Sequence, residues 1–365
     1  MQYDLDRCYF GDVRAVLRDM IAAGVQVHTI VTSPPYWGLR SYLPAGHPDK
    51  PFEIGSEPTV YDWVRGMVEV FELLRQVLRD DGTAWVNLGD NYAAARSAGG
   101  SMSGDVGHRA EQPAQGLGGF KPKDLIGQPW RLAFALQDAG WWLRQDIIWN
   151  KPNPMPESIR DRCTKAHEYV FLLAKSERYY YDFEAMQEPV AGTAHARKPS
   201  VKGWATEGDH NAQAWATMEN QGRGVGWGYA DGDAAKPRTR KLAESGSGTK
   251  LNESYDAAIG RTGLVTMRNR RSVWTVASEP YSGSHFATYP TELVTPCILA
   301  GCPPGGVVLD PFFGSGTTGQ VALDLGRHFL GIDLNRDNEA LQAQRLATKS
   351  MKRRQHGLDF EDAAA

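Results

Sequence analysis

The sequence predicts an α/β fold. Helical and strand-like patterns alternate along its first half, as they do when helices cover a sheet. Twice, a short apolar strand run ends in a stiff or glycine-rich turn, and the second of these turns leads straight into a helix, as at the end of a parallel strand. A chain of 365 residues suits one large α/β domain with insertions or two domains, and its 41% hydrophobic content is ordinary for a globular protein.

The elements follow in order. Residues 13–23 read as a helix and 29–31 as a strand. Across residues 60–78, Val64, Met67, Val68, Phe71, Leu74, Val77 and Leu78 recur at helical spacing. Asp80-Asp81-Gly82 stops that helix, and residues 83–88 read as a buried strand. Residues 129–139 form another helix, with Pro129 in its first turn and Gly140 past its end. Residues 142–149 and 168–174 read as two strands. Residues 307–309 are a strand, 319–325 a helix and 329–332 a strand that ends in Asp333. Two stretches break the pattern. Residues 93–119, rich in Gly, Ser and Ala, read as a mobile surface loop. Residues 192–263 show no period, and a loop that long in a compact domain is functional or disordered.

Composition narrows the class. The net charge of −3 does not single out a polyanionic partner, yet a cleft needs only local positive charge to bind one. The four cysteines, Cys8, Cys163, Cys297 and Cys302, have no C-x-x-C spacing and no histidine pattern for zinc. They read as reduced and mostly buried, which points to the cytoplasm. The first ten residues carry Asp4, Asp6 and Arg7 without an apolar core, so no signal peptide is expected. No run reaches the roughly 18 apolar residues of a membrane span.

The chemistry concentrates at the two turns. In Ser33-Pro34-Pro35-Tyr36, two prolines fix two φ angles and remove two N–H donors. The carbonyls of this extended corner are left without neighbouring donors and can face a ligand. Acceptors beside an aromatic ring suit a planar base with an amino group. The second turn, Asp310-Pro311-Phe312-Phe313-Gly314-Ser315-Gly316-Thr317-Thr318, lets backbone approach a ligand closely. Asp333, at the end of the next strand, suits a ribose hydroxyl pair. The spacing departs from G-x-G-x-x-G, and no phosphate-cradling P-loop is present.

Together, Thr32-Ser33-Pro34-Pro35-Tyr36 and the glycine-rich turn resemble the motifs of the amino-methylating DNA methyltransferases, with the circularly permuted order of their beta group: catalytic motif first, cofactor motif last. Trp149-Asn150-Lys151-Pro152-Asn153-Pro154-Met155-Pro156, His167-Glu168, Tyr179-Tyr180-Tyr181-Asp182 and His285-Phe286-Ala287-Thr288-Tyr289-Pro290 are similar to this family too. The resemblance implies a mostly parallel seven-stranded sheet with one antiparallel strand, which the 142–149 and 168–174 pair could supply. It divides the chain into a catalytic half at 1–190, a target-recognition insert at 191–270, a cofactor half of the same domain at 271–348 and a tail at 349–365. It implies S-adenosylmethionine as cofactor. Phe312, Gly314, Ser315 and Gly316 would shape the methionine and ribose pocket, Asp333 would bind the ribose, and Asp12 would contact the adenine. Phe286 and Pro290 would border the cofactor, and Thr32, Asp310 and Thr317 belong to the same set.

The resemblance also implies the mechanism. An exocyclic amine is a poor nucleophile because its lone pair is delocalised into the ring. The Ser33 side chain and the Pro34 carbonyl would accept from its two hydrogens, Pro35 would stiffen the corner and Tyr36 would stack on the base. The base must be flipped out of double-stranded DNA to reach them. Cys163 and Cys302 lie in the wrong contexts for a nucleophilic cysteine, which argues against methylation at cytosine carbon 5. A Ser-first motif is commoner in the members that act on cytosine N4, and an Asp-first motif in those that act on adenine N6, so cytosine is favoured and adenine stays open. A protein amide methyltransferase and an inactive DNA-binding relative are the remaining alternatives. No metal is assigned, since methyl transfer needs none.

Candidate DNA contacts follow from local charge. Nine Lys/Arg face three acids between Lys236 and Arg271, and within this stretch Arg268, Arg270 and Arg271 directly precede regular structure. Lys151, Asn153, Arg160, Arg162 and Lys165 form a second polar stretch, in which Arg160 and Arg162 could instead pair with Asp161 or Glu157. A cognate restriction endonuclease is an expected partner, and the chain is expected to be a monomer or homodimer.

Overall fold

Alternation of apolar residues along the strands builds two cores, one on each face of a sheet. In β2 (Val27–Thr32), Ile30 packs on one face and Val31 on the other. The same switch separates Val86 from Trp85 in β3 (Leu78–Leu88) and Leu173 from Leu172 in β5 (His167–Ala174). A strand buried on both sides is apolar at successive positions, which is why these runs read as continuous. The first face is covered by α1 (Val13–Ala22), α2 (Val60–Val77) and α3 (Gln128–Asp138). The second is covered by α4 (Thr291–Gly301) and α5 (Thr317–Asp324). Each fully buried Leu or Phe here contributes about 1.5–3 kcal/mol.

The computed structural model describes residues 3–93, 119–189, 267–278 and 289–355, with side chains as far as residue 347. The remaining strands are β1 (Arg7–Phe10), β4 (Trp142–Asn150), β6 (Gln187–Pro189), β7 (Met267–Asn269), β8 (Val273–Thr275), β9 (Val307–Asp310) and β10 (His328–Asp333). A final helix, α6, spans Glu339–Gln355. The chain divides into two units, Met1–Met186 with Arg270–Ala365, and Gln187–Asn269. In the second unit the described residues are the antiparallel pair β6–β7, where Arg268 meets Glu188 at 2.9 Å.

The main sheet runs β1-β10-β9-β2-β3-β5-β4-β8. Only β5 is antiparallel to its neighbours, as expected of the 168–174 strand. Among the described residues the sheet has eight strands where seven were expected. The eighth, β8, is three residues long and adds in parallel to the edge strand β4, with Trp274 as its buried residue. From β9 the chain crosses to β10 on one side, and from β2 to β3 on the other. Strand order therefore reverses between β9 and β2, and a crevice opens outside their carboxyl ends.

Helix boundaries follow local chemistry. Asp12 caps α1 by accepting from the Arg14 N–H, and Thr59 caps α2 by accepting from the Asp62 N–H at 3.1 Å. Gly127 and Gly316 stand before α3 and α5 with φ of 73° and 83°. Two expectations are corrected. The strand after α2 begins at Leu78, because the extended chain resumes through Asp80-Asp81-Gly82. Only Cys297 and Cys302 are buried; Cys8 is half-buried and Cys163 exposed, and all four are free. Among the described residues, no helix is long and apolar enough to cross a membrane.

Candidate active site

Both turns lie at the carboxyl ends of neighbouring strands, and a buried carboxylate ties them together. Asp310, at the end of β9, is 1% exposed. It accepts from Thr32 Oγ1 at 2.7 Å, Thr318 Oγ1 at 2.6 Å, Tyr289 Oη at 3.0 Å and the Phe312 N–H at 3.1 Å. Burial pushes its pKa up, and these donors pull against that shift. Thr32 and Asp310 thus stand behind the crevice wall and fix one turn against the other.

The crevice is a cleft open to solvent. Ser33 and Pro35 line it from the first turn, and Phe312, Gly314, Ser315 and Thr317 from the second. The other walls include Gly11, Val13, Tyr42, Leu43, Glu53, Ile332, Leu334 and Asn338. Phe313 also borders it, and its ring packs in the core stacked on Phe329, with ring centroids 5.2 Å apart. Gly316 takes a left-handed conformation that side chains disfavour, so the turn can enter α5 with no Cβ in the way. The Arg345 guanidinium holds Ser315 Oγ at 2.8 Å and also donates to Thr317 Oγ1.

Asp333 forms the floor at the end of β10. It accepts from the Asn335 N–H at 2.9 Å, Asn338 Nδ2 at 2.8 Å and Gln342 Nε2 at 2.9 Å. Burial raises its pKa to about 6. A carboxylate offers about four acceptor positions, so capacity remains for a hydroxyl donor. A cleft with apolar walls and a buried acid at its floor fits a nucleoside-bearing cofactor.

The corner after β2 is braced from behind. The Pro35 carbonyl accepts from Trp63 Nε1 at 3.0 Å. Trp37, buried, donates its backbone N–H to Gln128 Oε1 at 2.9 Å and its indole N–H to the Glu57 carbonyl at 2.8 Å. No described residue donates to the Pro34 carbonyl. Ser33 Oγ lies 3.4 Å from Tyr36 Oη, and Tyr36 Oη donates to Glu168 Oε2 at 2.9 Å. Burial raises the Tyr36 pKa well above the ordinary phenol value.

Residues 27–344 match the family model N6_N4_Mtase, described as DNA methylase. The chain belongs to this family. These DNA methylases use S-adenosylmethionine and act on exocyclic amines, and the curated relatives place the chain among the restriction–modification type. It is 40% identical to the Type II methyltransferase M.SmaI of Serratia marcescens over 326 residues, 87% of this chain and 83% of that one. It is also 40% identical to M.Cfr9I of Citrobacter freundii over 346 residues, 92% and 86% of the two chains. Among solved structures, the PvuII DNA methyltransferase (cytosine-N4-specific) shares the fold with TM-score 0.51 and 16% identity, covering 96% of this chain and 92% of that one.

The expected site residues of this DNA methylase fall into groups. Ser33, Pro35, Phe312, Gly314, Ser315, Thr317 and Asp333 line one cleft. Asp12 lies next to the lining residues Gly11 and Val13, caps α1 and pairs with Arg14 Nε at 3.0 Å. Pro290 is buried at the start of α4, beside the lining residue Tyr289. Phe286, the 93–119 loop beyond residue 93 up to 118, and residues 192–263 lie outside the described residues.

Of the DNA-contact candidates, Lys151 binds Glu168 and sits 4.1 Å over the Trp149 ring. Asn153 accepts from the Ser278 N–H at 3.0 Å. Arg162 pairs with Glu157 at 2.7 Å and stacks 3.8 Å over Tyr92. Arg270 stacks 4.7 Å over Trp274, the Arg271 carbonyl accepts from the Trp274 indole at 2.9 Å, and Arg160 is exposed.

The sequence reasoning passed over Tyr289, Asn338, Gln342, Glu53 and the role of Glu168. Asn338 and Gln342 carried a signal: two amides four residues apart, just after the strand-end acid. Glu53 carried none. It accepts from the Leu43 N–H at 3.0 Å and pairs with Lys50 at 2.6 Å through a loop without a repeating pattern.

Proposed function

We propose that this chain methylates the N4 amine of a cytosine flipped out of double-stranded DNA. The observation that carries the reading is the acceptor pair at the corner: the Ser33 hydroxyl lining the cleft, and the Pro34 carbonyl, to which no described residue donates. Two acceptors aimed at the two amine hydrogens draw the lone pair out of the ring and stabilise charge as it develops. Ser33 holds the first motif position with a neutral hydroxyl, the residue that the resemblance associates with cytosine. When bound, S-adenosylmethionine supplies a methyl group on a positive sulfur, open to in-line displacement by nitrogen.

The chain's own residues do the rest. Phe312, Gly314 and Ser315 shape the pocket for the cofactor, and Asp333 takes its ribose hydroxyls. Pro34 and Pro35 hold the acceptors rigid, which concentrates catalysis in positioning. Tyr36 offers its ring to the base. Of the candidate DNA contacts, Asn153, Arg160, Arg270 and Arg271 are the proposed DNA-facing set, while Lys151, Arg162 and Arg268 are paired with Glu168, Glu157 and Glu188; a cognate restriction endonuclease is the proposed partner.

Digesting DNA from expressing cells to nucleosides and analysing them by mass spectrometry tests the base. N4-methylcytosine is expected; 6-methyladenine alone would overturn the choice of cytosine.

A further inference from the structure

Behind the corner after β2 lies a polar cluster whose central residue the proposed chemistry does not use. Its centre is Glu168, the second residue of β5, with a side chain 18% exposed. One carboxylate oxygen, Oε2, accepts from Tyr36 Oη at 2.9 Å and from Asn87 Nδ2 at 3.1 Å. The other, Oε1, pairs with the Lys151 ammonium. Asn87 is itself anchored, donating to the Tyr169 carbonyl at 3.1 Å, and Lys151 rests on the Trp149 ring. β3, β5 and the residue that follows β4 therefore supply one fixed acceptor for a single phenol.

The backbone beside this pair leaves room for it. A Cβ on Gly89 would fall 2.9 Å from Tyr36 Cε2 and 3.1 Å from Glu168 Cδ, nearer than side-chain carbons normally come. The chain passes the Tyr36–Glu168 contact so closely that a Cβ there would force one of the two side chains to shift.

We propose that Glu168 is a positioning residue for methyl transfer: held by Lys151 and Asn87, it fixes the ring of Tyr36 in the plane that the target base stacks on. The inference rests on Tyr36 being the stacking residue. Without the Glu168 carboxylate, Tyr36 rotates about its side-chain bonds, and the base loses its fixed face while the cofactor pocket is untouched. Glu168 acts through Tyr36, so its effect disappears once the phenol oxygen is gone. A charge-assisted hydrogen bond to a buried partner makes the loss about tenfold or more in kcat.

The test is a double-mutant cycle in the full-length protein on cognate duplex DNA, with S-adenosylmethionine affinity measured alongside kcat. Glu168→Ala and Tyr36→Phe are each expected to lower kcat about tenfold or more with cofactor affinity unchanged, and the double variant to be no slower than the worse single one. Glu168→Gln, which keeps an acceptor for the phenol, is expected to recover most of the loss. Gly89→Ala, which pushes into the pair from outside, is expected to lower kcat in the same way. Multiplying losses in the double variant would overturn the proposal, as would lost cofactor affinity in Glu168→Ala. Failure of Glu168→Gln to recover activity would overturn it too. Tyr36→Ala separates the two readings. If it keeps full activity, the stacking role of Tyr36 fails; if it loses activity while the Glu168 variants are silent, only the positioning role fails.

Discussion

Asp310 and Asp333 are both buried acids at strand ends, and their partners give them different work. Asp310 spends its acceptors on protein donors: Thr32, Thr318, Tyr289 and a backbone N–H. Asp310→Ala should strand three hydroxyl donors between the two turns and cost about 3 kcal/mol or more, measured by urea unfolding. Asp333 keeps room for a ligand, and burial holds its pKa at about 6 in the folded protein. Ribose hydroxyls donate to the carboxylate, so the cofactor binds the ionised form. Below about pH 6 the protonated carboxyl must first lose its proton, and cofactor Kd should rise as pH falls, approaching tenfold per pH unit. Above that pH Kd should level off, and Asp333→Asn should remove the dependence; calorimetric titration from pH 5 to 8 reads both. Ser33, Asp310 and Asp333 were legible in the sequence because each ends a recognisable strand run. Glu168 was not, because its meaning depends on Tyr36, 132 residues away, and on a sheet pairing that no local pattern carries.

At the scale of elements, alternating burial made the inner strands and the helices of the first half readable, and the same physics hid the edges. β1 is four residues of mixed exposure and β8 three, too short for a period to show. α4 is almost wholly apolar and carries Pro296, so it offers neither an amphipathic stripe nor a clean helical composition. The turn into α5 was readable through its glycines, and there the sequence and the geometry make one demand. Gly316→Ala would place a Cβ at a φ of 83° and 3.3 Å from Phe313 Cε1. It should destabilise the fold by about 1 kcal/mol or more and weaken cofactor binding, because the turn that lines the cleft must move to relieve the strain. Thermal unfolding with and without cofactor tests this: the variant should lose part of the stabilisation that the cofactor gives the native chain. An unchanged ligand-induced shift would mean that the turn does not hold the cofactor.

At the scale of the whole molecule, a net charge of −3 and the proposed grip on DNA are reconciled by where cations are free and where they are spent. A cation lowers the salt dependence of DNA binding when removed only if it reaches a phosphate and releases a counterion. Arg162 is already paired with Glu157 at 2.7 Å, and moving it to a phosphate would expose that carboxylate to the backbone. Arg160 is exposed with no ion pair among the described residues. Arg270 is held by the Trp274 ring, a contact that leaves its N–H groups available. Arg160→Ala and Arg270→Ala should therefore each reduce the slope of log K against log salt by about 0.9, and Arg162→Ala should change it much less. Fluorescence anisotropy across a salt series with a cognate duplex measures all three. Equal slopes for every variant would assign the DNA grip to cations other than these three. A reduced slope for Arg162→Ala alone would mean that DNA breaks the Glu157 pair and recruits its guanidinium.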